Sequence, residues 1–343
     1  MKKIVWSIVF ILFPLLVTGQ GKRVAEDFMI LFYNVENLFD IVDNPITLDD
    51  EFTPTSDKQW NQERYQKKLD DLSEVFSSVD KKILPSIIGL CEVENRKVLE
   101  DLVSTRKMKK EEYGIVHEDS PDIRGIDVAL LYRKDQFRFE SSKTMAVDLP
   151  GDSVTTRDIL YVKGKAGSEV LHLFVNHWSS RSDGQMETER RRIYAAITLR
   201  KAVDSIFNFE PEAKIIIMGD FNDEPTNVSL SLYLSAGNKR KNATPRDLYN
   251  LMYDQHNLQD LGTYSYKGTW NMLDHLIVSQ AILHDKKNLH SDFTDGKIFK
   301  EDWLLYENPK TGDKTPNKTY GGPSYFGGVS DHLPIYMVLK RGD

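Results

Sequence analysis

Three short apolar runs, at 28–33, 86–91 and 214–218, constrain this chain most, because they are hydrophobic almost throughout and lack the alternation of a half-wet sheet. Strands of that kind are covered on both faces, so the sheets holding them need a further layer on each side. Each run stops abruptly in polar residues, the first at Asn34, the second at Glu92 and the third at Gly219 and Asp220. Loops at the ends of buried strands are where layered α/β proteins place their reacting groups.

Between these runs the period changes. Tyr65, Leu69, Leu72, Val75, Phe76 and Val79 predict a helix over 61–79, and Ile193, Ala196, Ile197, Leu199, Val203 and Ile206 predict a long amphipathic one over 185–207. A shorter helix is expected at 93–102. The segments 126–132, 137–147, 157–162 and 170–176 read as consecutive strands, several alternating, which suggests antiparallel hairpins with one turn at 164–167. Polar 43–59 reads as a loop, and 335–339 as a closing strand. Strands interleaved with long helices imply an α/β fold of two mixed sheets packed face to face with helices outside. The segment 283–326, poor in periodicity and rich in Lys, Asp, Gly and Pro, is expected to be a long surface excursion within a single domain over 21–343.

At the N-terminus Lys2 and Lys3 precede an apolar run over 4–17, short for a bilayer span, with Thr18 and Gly19 following. This reads as a secretory signal over 1–20, removed near Gly19 or Gln20, so the expected location is the periplasm or the exterior. An uncleaved anchor is the alternative. No stable membrane association is expected once the signal is gone, and no protein partner is implied. The lone Cys91 excludes an intramolecular disulfide and, with its apolar flank, reads as a packed thiol.

A net charge of −7 argues against holding nucleic acid by bulk electrostatics. Basic clusters at Lys107, Lys109 and Lys110, at Arg190–Arg192 and at Lys239–Lys241 read as solvated faces or loops.

Polar groups at six expected strand ends carry the chemistry: Asn34 with Glu36, Glu92, His177, Asp220 with Asn222, Asp274, and Asp331 with His332. In Met-Gly-Asp-Phe-Asn-Asp the i, i+2 spacing sets Asp220 and Asn222 on one face with Phe221 turned inward. A carboxylate beside a carboxamide suits water activation and phosphate contact, and an Asx-turn is the alternative. Asp331 suits a metal or phosphate contact, and Asp274 is placed to orient and charge His332. His275 points to the opposite face. An oxygen-only set of Glu36, Glu92 and Asp331 selects Mg²⁺, or Mn²⁺ in its place, over zinc.

Seven ordered motifs then carry a resemblance: Tyr-Asn-Val-Glu-Asn-Leu, Gly-Leu-Cys-Glu-Val-Glu-Asn, Gly-Ile-Asp-Val-Ala-Leu-Leu-Tyr, Val-Asn-His-Trp, Gly-Asp-Phe-Asn, Leu-Asp-His-Leu-Ile-Val and Ser-Asp-His-Leu-Pro-Ile. Over 28–339 the chain resembles the endonuclease/exonuclease/phosphatase superfamily. The resemblance implies a four-layered α/β sandwich and Mg²⁺-dependent hydrolysis of phosphate esters. It also implies Glu92 as principal metal ligand with Asn34 and Glu36 beside it, and Asp331 completing the metal side. Asp220 would activate or position water with Asn222 as its partner on phosphate, Asp274 and His332 would form the orienting pair, and His177 would bind phosphate. Arg124 is a candidate substrate contact, a surface role being the alternative.

The expected activity is an exported phosphodiesterase acting on nucleic acid, a DNA endonuclease of low sequence specificity, since the first motif resembles exported bacterial nucleases of the superfamily. Trp178 and the aromatic residues over 264–270 are candidate stacking surfaces, with a core role as the alternative. The competing expectation is a phosphatase or phosphodiesterase for small or lipid phosphates of inositol phosphate or sphingomyelin type. A catalytically dead binding module on the same fold is disfavoured, because every ionisable position is filled.

Overall fold

The computed structural model describes residues 27–152, 154–259 and 261–342. The signal segment expected at 1–20 lies outside them. Among the described residues no helix is long and apolar enough to cross a membrane.

Two large mixed sheets form the centre. The first contains β1 (Phe28–Leu38), β2 (Ile87–Val93), β3 (Tyr113–His117) and β4 (Asp127–Arg133), with the strand Ile335–Leu339 against β1 and Lys297–Ile298 at the edge. The second contains β5 (Arg138–Met145), β6 (Ile159–Ala166), β7 (Glu169–His177) and β8 (Lys214–Asp220), continued by Asp274–Ser279, Leu248–Asn250 and Ala236–Gly237. Each sheet has a parallel pair at its middle, β1 with β2 and β7 with β8, and in the second sheet the short strands Leu248–Asn250 and Ala236–Gly237 are parallel as well. Parallel neighbours require a long crossover, and the helices α1 (Gln62–Ser78) and α3 (Gln185–Phe209) supply it for the two middle pairs.

The non-alternating runs are explained by three apolar interfaces. Phe28, Ile30, Phe32 and Cys91 of the first sheet meet Leu173, Val175, Ile216 and Met218 of the second. The other face of the first sheet, with Leu31, Tyr33, Ile88 and Leu90, is covered by Leu69, Leu72, Val75 and Phe76 of α1. Phe174, Ile215 and Ile217 are covered by Ala196, Leu199, Val203 and Phe207 of α3. The layers therefore run helix, sheet, sheet, helix. Successive residues of β8 serve different interfaces, so all of them are apolar. Cys91 is buried between the sheets, where desolvation holds its thiol pKa well above the ordinary value.

Two expected strand ends differ. At Glu36 and Glu92 the chain bulges and continues, to Leu38 in β1 and to Val93 in β2, with register shifts at the same level of the sheet. The helix expected from 93 starts later, as α2 (Arg96–Val103), where Asn95 caps it by accepting from Val98 N–H. The excursion over 283–326 is only partly superficial. It contributes the edge strand Lys297–Ile298 and two small hairpins, Leu305–Glu307 with Lys314–Pro316 and Tyr320–Gly321 with Ser324–Tyr325. Phe299, Leu304 and Tyr320 from this segment are buried in the outer cluster of the first sheet.

Candidate active site

The register of the second sheet sets three groups in a row. Asp220, closing β8, lies directly opposite His177 of β7 on one side and Asp274 on the other. Gly219 admits this close spacing, since a Cβ there would stand 2.5 Å from the Asn176 carbonyl oxygen. The first sheet contributes Asn34 and Glu92, and the loop before Ile335 contributes Asp331 and His332.

Asn34 joins the sheets: its amide Nδ2 donates to Glu92 Oε1 and to Asp220 Oδ2, each at 3.0 Å. His177 Nε2 stands 3.8 Å from both of these carboxylates. His332 Nδ1 lies 2.7 Å from Asp274 Oδ2, and its Nε2 faces Asp220 Oδ2 at 3.7 Å. Asn222 donates through Nδ2 to Trp178 O at 3.0 Å, while its backbone N–H bonds Asp220 Oδ1 at 2.9 Å. The pair thus forms the Asx-turn named as the alternative while both residues line one cleft. Glu36, Asn37, Glu92 and Asn222 all hold positive φ, a strained backbone tolerated where it aims side chains.

Burial pushes the Asp220 carboxyl up to about 7, and Asp274 adds to the rise while His332 opposes it. For His332 burial works against the charged ring, but Asp274 and Asp220 outweigh it and hold its pKa well above the usual value. His177 goes the other way: burial first, then Arg157 and Arg124, hold it well below, so it is neutral. Of these two rings, His332 is the charged one and His177 the neutral one.

Glu92, His177, Asp220, Asn222, Asp331 and His332 line one cleft of about 570 Å³, together with Arg124, Arg181, Tyr264 and Tyr266. Asp274 lies beneath His332, fully buried. The Asp331 carboxyl is raised by burial and by the negative charge of Glu92. Glu92 and Asp331 are thus partly exposed carboxylates of one cleft whose charges repel, and their hard oxygens are the kind of donor a divalent cation takes. Asp220, Asp274 and His332 also approach closely enough to hold an ion, but His332 Nδ1 is committed to Asp274, as a proton-handling pair requires.

Four expectations are corrected. Glu36 is not in the cleft: its carboxylate accepts Thr319 N–H at 2.6 Å and Tyr320 N–H at 3.2 Å, so it staples β1 to the excursion. Asn34 turns its donor toward the carboxylates, and its Oδ1 accepts the Glu36 N–H at 3.0 Å, which makes it an organiser of acids. Trp178 is core, packed on Phe221 with its N–H bonded to Asn176. Arg192, read as part of a solvated cluster, is fully buried and paired with Asp223.

Arg124 lines the cleft, its guanidinium held by both oxygens of Asp122 at 3.1 and 3.0 Å. Sequence reasoning missed Arg181, fixed by Asn222 O, Asp223 and Asn227. It also missed Lys68, a buried ammonium donating to Glu36 O, Thr319 Oγ1 and Val329 O. A lysine on the apolar stripe between Tyr65 and Leu69 was the readable signal for the latter. Arg181, in a polar loop, left none.

Residues 29–341 match the model of the Endonuclease/Exonuclease/phosphatase family. No curated protein matches the sequence. Among solved structures, TDP2 of D. rerio complexed with a single-strand DNA product is similar at 13% identity and TM-score 0.56, over 92% of this chain and 99% of that one. A mannosyl-6-phosphatase of Bacteroides thetaiotaomicron is similar at 16% identity and TM-score 0.56, over 91% and 99%. The human Nocturnin catalytic domain with bound sulfate follows at 14% identity and TM-score 0.52, over 92% and 94%. At such identities the likeness is one of fold.

Proposed function

The chain belongs to the endonuclease/exonuclease/phosphatase family and is a metal-dependent phosphoester hydrolase, and from that premise we propose that it cuts phosphodiester bonds of nucleic acid, as a DNA endonuclease of low sequence specificity. The observation that carries this reading is the cleft's two kinds of lining. Arg124 and Arg181 share it with Tyr264 and Tyr266, alongside Asp220 and His332, and the centroid of the Tyr264 ring lies 4.9 Å from that of His332. Anionic backbone and flat ring are the two surfaces a nucleotide presents.

In this proposal Glu92 and Asp331 hold the cation, Mg²⁺ being the ion such oxygens prefer. When bound, it neutralises charge on the phosphate and so lowers the barrier to attack. Asp220, poised near 7, takes the proton of the attacking water while Asn34 fixes one of its oxygens. His177 donates a neutral N–H to a phosphate oxygen. His332, kept charged by Asp274, supplies a cationic N–H to the same group. We also infer export, supported by Lys2, Lys3 and the apolar run after them.

A second reading, hydrolysis of small phosphate esters, is favoured by the size of the cleft, which lies within the range of small-molecule sites. Purified protein with Mg²⁺ or chelator, tested on plasmid, RNA, bis(p-nitrophenyl) phosphate, sphingomyelin and inositol phosphates, separates the two. Metal-dependent plasmid nicking that disappears in Asp220→Ala and His332→Ala supports the nuclease. Turnover of small phosphates without nicking replaces it by the second reading.

A further inference from the structure

A second groove, of about 780 Å³, opens beside the cleft and shares Tyr264 and Asp331 with it. Its wall is aromatic: Tyr306, Tyr325 and Phe326 join Tyr264, with Lys318 the one cation among its lining residues. Tyr306 and Phe326 are 51% and 57% exposed, so their rings face solvent rather than the core. The wall is nonetheless fixed. Glu36 accepts the N–H groups of Thr319 and Tyr320, Lys68 bonds Thr319 and Val329, and the Arg64 guanidinium sits 4.3 Å over the Tyr325 ring. The segment 319–325 is therefore tied, through Lys68, to the loop that carries Asp331.

We propose that this groove is a subsite for an unpaired nucleobase, on the nucleotide flanking the scissile phosphate on the Asp331 side. The proposal rests on the nuclease reading and adds to it a preference for single-stranded over duplex substrate. Aromatic side chains stack on the face of a base, and a duplex hides both faces of every base it contains. Charge points the same way. With a chain of −7 and one lysine in the groove, backbone attraction is weak there, and stacking has to supply the affinity.

The test uses single-stranded oligonucleotides with one abasic residue on either side of a unique cleavable phosphate, the other linkages being made resistant. The wild-type protein is expected to lose about tenfold in kcat/KM when the abasic residue lies on one flank and little when it lies on the other. In Tyr306→Ala/Phe326→Ala protein the ratio between intact and abasic substrate should fall to near one, and in Tyr306→Phe/Phe326→Tyr it should persist. Because each ratio is internal to one protein, partial loss of folded material does not change it. Equal rates for intact and abasic substrates, or a ratio unchanged in the alanine variant, overturns the subsite while leaving the nuclease reading intact. A duplex cut as fast as the single strand does the same. No cleavage of any oligonucleotide, with turnover of small phosphates, overturns the nuclease reading and the subsite with it.

Discussion

At the scale of single residues the site is a set of buried charges that would not be chosen for stability. Asp220 has a folded-state pKa of about 7 against 3.8 for the free side chain, so the folded chain holds its proton more tightly than the unfolded chain does. The resulting stabilisation is present below the unfolded value and is lost as pH rises through the folded one. Asp220→Asn, neutral throughout, should therefore be more stable than the parent at pH 8 in chelator by about 2–4 kcal/mol, with the gap closing toward pH 4. Thermal melts across pH check this, and the same variant should lose about 10²–10⁴-fold in turnover. Asp274→Asn removes the strongest support for the charged form of His332 and leaves burial to oppose it. The alkaline limb of its pH–rate profile should move to lower pH, together with a loss of about 10²-fold or more. An unmoved limb would show that His332 is not the charged group of the site.

At the scale of elements, precision comes from strand register and close packing rather than from loops. Gly219→Ala would drive a methyl group into the Asn176 backbone between β7 and β8, costing about 1–3 kcal/mol and displacing Asp220. Its activity should fall more than its stability, measured by turnover against denaturant midpoint on the same preparation. Much of this was legible beforehand. The doubly apolar runs of β1, β2 and β8 announced a covered sheet, and the spacing of Leu69, Leu72, Val75 and Phe76 gave α1 within a residue at each end. The meeting of Asp220, Asp274 and His332 was legible, the two aspartates standing at strand ends where the pleat forces a side chain's direction. Glu36 was not, since a left-handed residue inside a bulge breaks the alternation on which such reasoning depends. The small hairpins of the excursion were also hidden, their strands being two or three residues long and too short to display a period.

For the whole molecule the balance of charge sets what kind of hydrolase this is. Two arginines, Arg124 and Arg181, line the cleft of a chain with net charge −7. Under the nuclease reading, log kcat/KM on single-stranded DNA should decline with log salt at a slope of about −1 to −2, shallow beside proteins that neutralise many phosphates. A titration from low to moderate NaCl at fixed divalent cation measures it, and a much steeper slope would reveal phosphate contacts well outside the cleft. The order of the strands has a consequence for synthesis. Ile335–Leu339 pairs with Phe28–Phe32, and Asn34 meets Asp220, 186 residues away, so the cleft is assembled from segments far apart along the chain. On the roles proposed above, a nascent chain should stay inactive until Asp331 and His332 have emerged from the ribosome, and a phosphoester hydrolase would thereby be silent while the preceding segments are translated.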